Sequence, residues 1–411
     1  MPPITYLLNN FMKKHSIKLI DNPYYRSPPG LTSLTNTFDT VSENPPKYVP
    51  REFTLGLDDV FYFQLLLNYE KRPNPDTDLF EFFQDTDISF LRDNRNAILT
   101  FDNTFEGYPD WDLAIARSLE FSCIKHSINP KKMFLFTGNL KEINHNTLIN
   151  IVPIFLLHLS FKYGKINFNT INLEKSKTLC KENYSNIGLS LSRRNRPHRV
   201  YAHYMLTNSE IFHNFIMSQD RLEENVMYPN PNILQKMESK QEDFVNFSKI
   251  LPILADGDNF NINSPFEPLI DLHSKTAFSI VNETHIDTFD NRSIFFSEKF
   301  LKPIINFQPF VIYGQPYINK NLSILGFKTY ESYFNLDFDD EIDDIYRYKK
   351  LLTSITDTVK YLNSLDRNQQ IEWRFKELEI LQFNYDNFLS LNSCKTQLEK
   401  FLYTVRELIY N

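Results

Sequence analysis

The stretch from residue 295 to 334 constrains the fold of this chain more than any other. Ser297 is a residue type that begins helices, and two charged residues follow it as a first helical turn. The run Phe-Val-Ile-Tyr at 310–313 is short and apolar with strong strand preference, and Gly314 ends it. A helix, a buried strand, a glycine turn and a second helix in succession are typical of a doubly wound α/β domain.

The start of the helix at Ser297 is also a candidate binding site. Helix N-termini concentrate unpaired backbone N–H groups and partial positive charge, which suit a phosphate or a ribose-bearing nucleotide. Glu298 and Lys299 are the charged side chains at this helix start. Pro303 interrupts a regular helix one turn later, because proline has no backbone N–H.

Two earlier blocks have a similar pattern of a strand followed by polar residues. Residues 278–284 read Phe-Ser-Ile-Val-Asn-Glu-Thr, which predicts a strand with Asn282 and Glu283 at its end. Residues 187–192 predict a strand that leads into the basic sequence Arg-Arg-Asn-Arg-Pro-His-Arg at 193–199. Arginines at a helix start oppose the helix dipole, which favours an anion nearby. We therefore interpret Arg193, Arg194 and Arg199 as a diphosphate-binding group, with a solvated charged helix start as the alternative.

The three blocks, in this order, resemble the donor half of GT-B glycosyltransferases over roughly residues 185–340. The resemblance is strongest to the α-fucosyltransferase-like group and extends to uncharacterised viral and bacterial glycosyltransferase-like proteins. It implies an α/β, GT-B-like fold in which two Rossmann-like domains face a cleft and a helical portion ends the chain. It also implies an enzyme that transfers a sugar from a nucleoside-diphosphate donor, with inversion and without a metal or other cofactor.

The resemblance also implies roles for individual residues. Glu298 would accept hydrogen bonds from ribose hydroxyls, and Lys299 would pair with phosphate. Asn282 and Glu283 would face the nucleotide or the sugar, although an ordinary strand-end turn explains them equally well. The implied partner is therefore a nucleotide sugar, while the acceptor stays open among glycans, proteins and modified DNA.

The acceptor base is expected in the N-terminal part of the chain. Asp102 and Glu106 follow a predicted strand at 97–101, and Asp110 and Asp112 flank an aromatic residue a few positions later. A carboxylate beside aromatic surface is typical of a sugar-binding general base. Asp102 and Glu106 are our candidates for catalysis, and loop solubility is the alternative explanation of these carboxylates.

The pattern of elements predicts three portions: an acceptor-side α/β domain over 1–180, a nucleotide-sugar domain over 185–340 and C-terminal helices over 341–411. The polar segment 174–185 is expected to link the first two. Residues 61–69 suit a helix, a helix is predicted at 200–206, and 219–268 look loop-like, with prolines at 229, 231, 252 and 265.

Charge and cysteine content exclude several classes of protein. A net charge of −7 argues against a general nucleic-acid binder. A virus-encoded glycosyltransferase acting on modified DNA bases, and a non-catalytic binding or structural protein on the same fold, are the rival hypotheses. The three cysteines are far apart, which indicates a reducing compartment and a cytoplasmic protein, in the host cytoplasm if the chain is viral. The longest apolar run, 151–159, is too short to span a bilayer.

The sequence predicts no metal site. The aspartates at 337, 339, 340, 343 and 344 lack the glycine of a calcium-binding loop. They precede a stripe of apolar residues at helical spacing that begins at Leu351. Acidic residues are favourable at a helix N-terminus, so this run is interpreted as the start of a helix.

Overall fold

We describe the protein from a computed structural model. The described residues are 17–19, 60–66, 74–81, 85–95, 97–104, 107–141, 146–155, 171–192, 195–222, 229–255, 268–287, 293–390, 396–397, 400–401, 403–405 and 407–408. By its internal contacts the chain divides into two compact units. The first unit comprises 1–165, 289–295 and 393–411, and the second comprises 166–288 and 296–392.

The first unit is built on a parallel sheet in which the five strands lie in chain order. The strands are β1 (Ile17–Leu19), β2 (Val60–Leu66), β3 (Ala97–Asn103), β4 (Met133–Thr137) and β5 (Asn150–Pro153). Its helices include α1 (Asp85–Asp93) and α2 (Pro109–Lys125). Parallel strands in chain order need crossovers, and α2 is the crossover between β3 and β4.

The side chains of strand β4 are covered on both faces of the sheet. All five residues of β4 are buried. Met133 and Leu135 pack into the core that α2 covers, whereas the alternate residues Phe134 and Phe136 contact the ring of Phe401 edge-on, with centroids 5.0 and 5.1 Å apart. Each fully buried aromatic side chain of this kind contributes about 1.5–3 kcal/mol.

The second unit contains a mixed sheet of five strands. Its strands are β6 (Asn186–Leu191), β7 (Phe215–Gln219), β8 (Ile253–Leu254), β9 (Thr276–Asn282) and β10 (Phe310–Tyr313). Its first helices are α3 (Leu173–Asn183), α4 (Pro197–Thr207), α5 (Pro231–Lys236), α6 (Gln241–Lys249), α7 (Ile270–Ser274) and α8 (Leu301–Ile305). The C-terminal helices α9 (Asp344–Asn363), α10 (Arg367–Arg374) and α11 (Leu378–Ser390) complete it.

The strand order of the second unit reverses direction at β6. The order is β10-β9-β6-β7-β8, and only β8 is antiparallel to its neighbour. From β6 the chain continues to β7, which lies on one side of β6, and later forms β9 on the other side of β6. Ligands of open α/β sheets bind at such a switch point, outside the carboxyl ends of the strands. The described strands of the first unit contain no such reversal.

The predicted α/β fold with Rossmann-like units is confirmed, and so are β4, β6, β9, β10 and the helix that contains 200–206. Other segments differ from their predicted structure. Residues 60–66 form strand β2 and not a helix, because a short apolar run fits either element. Residues 173–183 form α3 where a polar linker was expected, and 219–268 include α5, α6 and β8. The assignment of acceptor-side and donor-side portions stays a prediction.

The aspartate run before α9 does form a helix start. Asp343 is the N-cap, and its Oδ1 accepts hydrogen bonds from the backbone N–H groups of Ile345 and Tyr346 at 3.0 and 3.1 Å. Asp339 is buried and accepts instead from the N–H groups of Asn319 and Lys320. Among the described residues, no group of three or more metal-binding side chains occurs together.

Within the part of the chain that the structure describes, no helix combines the length and apolarity needed to cross a bilayer.

Candidate functional site

The carboxyl ends of β6 and β9 bring several of the predicted residues together. The loop after β6 leads into α4, whose first turn contains His198 and Arg199. Asn282 is the last residue of β9, and Glu283 follows it. A short 3₁₀ turn, Glu298–Phe300, precedes α8, and Ser297 is its N-cap as predicted. Because β6 and β9 are neighbours in the sheet, these segments meet at the switch point.

Three cationic side chains surround Thr284, which is the centre of this site. Arg199 Nη2 donates to Thr284 Oγ1 at 3.2 Å, and Lys299 Nζ donates to the same oxygen at 3.2 Å. Arg196 Nη1 donates to the Thr284 carbonyl oxygen at 3.3 Å. Lys299 also donates to Ser297 Oγ at 3.1 Å. We refer to Arg196, Arg199, Thr284, Ser297 and Lys299 as the Thr284 site.

The three cationic side chains differ in their exposure to solvent. Arg199 is only 2% exposed, and its Nε donates to the Glu283 carbonyl oxygen at 3.0 Å. Arg196 is half-buried, and the Lys299 side chain retains 27% of its exposure. Arg199 was interpreted as part of a diphosphate-binding group, and its bond to the Glu283 carbonyl gives it a structural role as well. Arg196 and Lys299 are therefore the cations that a ligand reaches most directly.

The N-terminus of α4 adds positive potential to the site. Arg196 is the N-cap residue of this helix, it makes no side-chain capping bond, and the first turn contains no acidic residue. Most helices place a Ser, Thr, Asp or Asn at this position to satisfy the free N–H groups. A helix start flanked by arginines and lacking an acidic partner is a favourable place for an anion.

Two glutamates lie among these cations. Glu298 Oε1 is 3.4 Å from Lys299 Nζ. Burial raises the pKa of Glu298, but the charges of Lys299 and Lys302 outweigh it and hold that pKa below its ordinary value. Burial lowers the pKa of Lys299, and the charge of Arg199 adds to that effect. A bound anion would offset the charge of Arg199 and favour the charged form of Lys299.

Glu283 is fully buried and shapes the backbone of the site. Its Oε1 accepts from the Ser297 N–H at 3.2 Å, and its Oε2 accepts from the Thr284 N–H at 3.0 Å. The carboxylate thus fixes the 3₁₀ turn of Ser297 against the end of β9. Gly314, which follows β10, allows this approach, since a Cβ there would lie 3.0 Å from Glu283 Cβ. A direct contact of Glu283 with a nucleotide stays a prediction.

Asn282 faces a different neighbourhood from Glu283. Its Nδ2 donates to Ser190 Oγ at 3.0 Å and lies 3.3 Å from Nε2 of His203. Its Oδ1 is buried and makes no hydrogen bond within the described residues. The same holds for Oγ of Ser192, which lies at the end of the neighbouring strand. Two buried polar atoms without partners at a switch point are typical of a place that water or a ligand completes.

The structure places only some of the remaining predicted residues. Arg193, Arg194 and Glu106 lie outside the described residues. Asp102 belongs to β3 and not to the loop after it, and its side chain is likewise outside the description. Asp112 is buried in the first turn of α2, where it accepts from Asn103 Nδ2 at 2.6 Å and Thr137 Oγ1 at 2.7 Å. The acceptor base therefore stays a prediction.

Sequence reasoning missed three contributors to this region: Arg196, Thr284 and His203. Arg196 stood in the basic loop but was not selected, and Thr284 directly follows Glu283. A sequence signal existed for both, because Arg196 lies between the selected Arg194 and Arg199, and Thr284 adjoins the selected Glu283. His203 had none, since its neighbours come from three different strands that only the folded sheet brings together.

Four buried histidines make the second unit sensitive to acid. Burial lowers the pKa of His198, His273 and His285 to about 3 and that of His203 to about 4. Unfolded histidines titrate near pH 6.5. The unfolded chain therefore binds more protons than the folded chain between about pH 6.5 and 4, and stability must fall as the pH falls through that window.

We accordingly expect the urea midpoint of the second unit to drop steadily from pH 7 to pH 4.5. The measurement is fluorescence of Trp373, which is buried in this unit, in a Trp111→Phe background that removes the other tryptophan. His273→Gln should make the dependence less steep. A midpoint that is constant over this range would show that the histidines are protonated in the folded protein.

Comparison with known proteins gives structural neighbours only. No protein-family model matches the chain, and no curated protein matches its sequence. Solved structures similar to it include a trehalose-6-phosphate protein from E. coli bound with UDP-2-fluoro glucose, at 9% identity and a TM-score of 0.40, covering 95% of this chain and 98% of that chain. Another is the trehalose-6-phosphate phosphatase N-terminal domain from Candida albicans, at 11% identity and 0.36, covering 90% and 72%.

A third neighbour is a UDP-forming trehalose-phosphate synthase from Burkholderia xenovorans, at 9% identity and a TM-score of 0.34, covering 86% of this chain and 75% of that chain. At these TM-scores the neighbours carry no argument about what this chain binds or does. A functional conclusion has to rest on the residues of the chain itself.

Proposed function

We propose that the chain is a glycosyltransferase that transfers a sugar from a nucleoside-diphosphate donor, and that the Thr284 site binds the donor diphosphate. The observation that supports this most is the convergence of Arg199 and Lys299 on one hydroxyl, Thr284 Oγ1, at 3.2 Å each. Arg196 Nη1 donates to the backbone carbonyl oxygen of the same threonine at 3.3 Å. A diphosphate offers several acceptor oxygens and negative charge, which match this cluster of donors.

The chemistry of glycosyl transfer explains why such a cluster is useful. An acceptor hydroxyl forms a bond to the anomeric carbon while the bond from that carbon to the diphosphate oxygen breaks. The nucleoside diphosphate leaves with the bonding electron pair and gains negative charge. Fixed donors that already point at the leaving group stabilise this charge without reorganisation. Arg196, Lys299 and the start of α4 would supply those donors.

Cationic side chains also support binding without a metal ion. A divalent cation commonly neutralises diphosphate oxygens, and here guanidinium and ammonium groups would do so. The resemblance of the three sequence blocks to the α-fucosyltransferase-like group motivates the same expectation, together with inversion at the anomeric carbon. In an inverting reaction a base removes the acceptor proton, and Asp102 and Glu106 remain our candidates for it.

The two rival hypotheses differ from this proposal in the acceptor or in whether the protein is catalytic. A virus-encoded enzyme that modifies DNA bases would share the donor site and differ in the acceptor alone. A non-catalytic protein on the same fold would bind the nucleotide without breaking the glycosidic bond. Both rivals are testable once a nucleotide that binds is known.

The test is calorimetric titration of the protein with UDP, GDP, ADP, CDP and dTDP, first in EDTA and then in magnesium. We expect one of them to bind in EDTA, with little change on adding magnesium. Binding that requires the metal would overturn metal independence, and no binding by any of them would overturn the proposed function. For the nucleotide that binds, slow release from its sugar conjugate in water distinguishes an enzyme from a binding protein.

A further inference from the structure

A series of hydrogen bonds links Asn282 to the Arg221 carbonyl, and each member donates to the next one in the series. Asn282 Nδ2 donates to Ser190 Oγ at 3.0 Å, and Ser190 Oγ lies 2.9 Å from His203 Nε2. His203 Nδ1 lies 2.9 Å from Gln219 Oε1, and Gln219 Nε2 donates to Asn195 Oδ1 at 2.8 Å. Asn195 Nδ2 in turn donates to the Arg221 carbonyl oxygen.

The position of each proton in this series of hydrogen bonds follows from the orientation of the amide side chains. Gln219 uses its amide N–H toward Asn195, so its carbonyl oxygen must accept from His203 Nδ1–H. His203 Nε2 is then an acceptor, and it takes the hydroxyl proton of Ser190. Ser190 Oγ accepts from Asn282. The donors and acceptors of Ser190, His203 and Gln219 are therefore matched only when His203 is neutral and carries its proton on Nδ1.

The chain of bonds joins four parts of the fold. Asn282 ends β9, Ser190 lies in β6, His203 lies in α4 and Gln219 ends β7. His203 and Gln219 are fully buried, whereas Asn195 is half-buried in the loop before α4. Asn195 adjoins Arg196, whose guanidinium contacts Thr284. Buried polar side chains that are joined by matched hydrogen bonds make a structure rigid.

We propose that His203 is a positioning residue: through Gln219 it fixes Asn195, and so holds Arg196 and the first turn of α4 in place for an anion. This inference rests on the proposed function for the identity of the anion, but not for the positioning itself. His203 is too deeply buried to touch a ligand, and it acts through the loop.

The test uses amide hydrogen exchange within α4, because this helix contains its own control. The N–H groups of Arg199 and Val200 bond to the Arg196 carbonyl oxygen at its start, and the Asn208 N–H bonds to Tyr204 at its end. In Asn195→Ala and in His203→Phe we expect exchange at Arg199 and Val200 to rise about three- to tenfold, with Asn208 unchanged. His203→Gln, which keeps one donor and one acceptor, should restore part of the protection.

Affinity for inorganic pyrophosphate provides the second measurement. Asn195→Ala lies outside the core and should fold normally, yet it should bind pyrophosphate about three- to tenfold more weakly. A parent protein that does not bind pyrophosphate contradicts the proposed function, while exchange still decides the positioning role. Unchanged exchange at Arg199 and Val200, or an equal rise at Asn208, would overturn the proposal. So would unchanged pyrophosphate affinity in Asn195→Ala when the parent binds.

Discussion

Replacing Arg374 by methionine is expected to lower the free energy of unfolding of the second unit by about 3–5 kcal/mol. Arg374 ends α10, is fully buried and has backbone carbonyls as its partners. Its Nη1 donates to the Thr276 carbonyl at 2.7 Å and to that of His273, and its Nη2 donates to Asn306 at 2.6 Å. These bonds join α10 to the start of β9 and the end of α8.

The size of the effect follows from what the substitution leaves behind. Methionine fills most of the space but cannot donate a hydrogen bond. Each buried acceptor without a partner costs about 1–3 kcal/mol. Gln308 Nε2 also donates to the Thr276 carbonyl at 2.9 Å, and Ser176 Oγ donates to the Asn306 carbonyl at 2.7 Å, so both oxygens keep one partner when the guanidinium is removed. The loss of unfolding free energy is therefore smaller than the sum of the costs for all the carbonyl acceptors of Arg374.

The measurement is urea denaturation followed by Trp373 fluorescence in the Trp111→Phe background. Trp373 precedes Arg374 and lies 4.9 Å from the ring of Tyr333, so it reports on this region. The matched control is Arg367→Met in the same helix, where the side chain is exposed. We expect the control to stay within about 0.5 kcal/mol of the parent. A loss for Arg374→Met no larger than that would show that water replaces the guanidinium.

Replacing Arg196 and Lys299 together by alanine is expected to weaken binding of the nucleoside diphosphate about a hundredfold. A hydrogen bond to a charged group contributes about 1.5–3 kcal/mol, so each single substitution should cost about tenfold or more. The two side chains approach Thr284 from different segments, the loop before α4 and the 3₁₀ turn before α8. Their effects should combine nearly additively, with some coupling because the charges are close.

Controls for this prediction come from the same unit. Lys275 immediately precedes β9, at the opposite end of the strand from Thr284, and Arg367 is exposed on α10. Alanine at both positions removes the same net charge far from the site. Equal weakening in the control pair would indicate a general effect of charge and contradict a specific site. Arg199→Ala is a poorer test, since its guanidinium also holds the Glu283 carbonyl.

The sequence predicted the parts of the fold that local patterns determine. The strand at 310–313, its stop at Gly314 and the cap at Ser297 all depend on residues within a few positions of each other. Strand β7 and helix α6 were not predicted. The prolines across 219–268 favoured a loop there, and the capping interaction at the start of α6, in which Asp243 accepts from the Lys240 N–H, was not recognised. The structure of β7 and α6 depends on packing against β6 and α4.

The site was predicted less completely than the fold, for a related reason. Arg199, Glu283, Ser297 and Lys299 were selected from separate blocks, and the sheet order places them at one edge. No pattern along the chain reveals that β9 lies beside β6. Buried arginines such as Arg347, which bonds to the carbonyls of Gly314 and Ile286, look like surface charges in the sequence.

The most direct test of the central claim is a crystal structure of the protein with the nucleoside diphosphate that binds most tightly, grown in EDTA. The account predicts density for the two phosphates beside Thr284 Oγ1, with Arg196 and Lys299 turned toward the phosphate oxygens and the start of α4 facing the diphosphate. Phosphates bound elsewhere on the chain, with Arg196 and Lys299 free of them, would contradict the donor site proposed for the second unit.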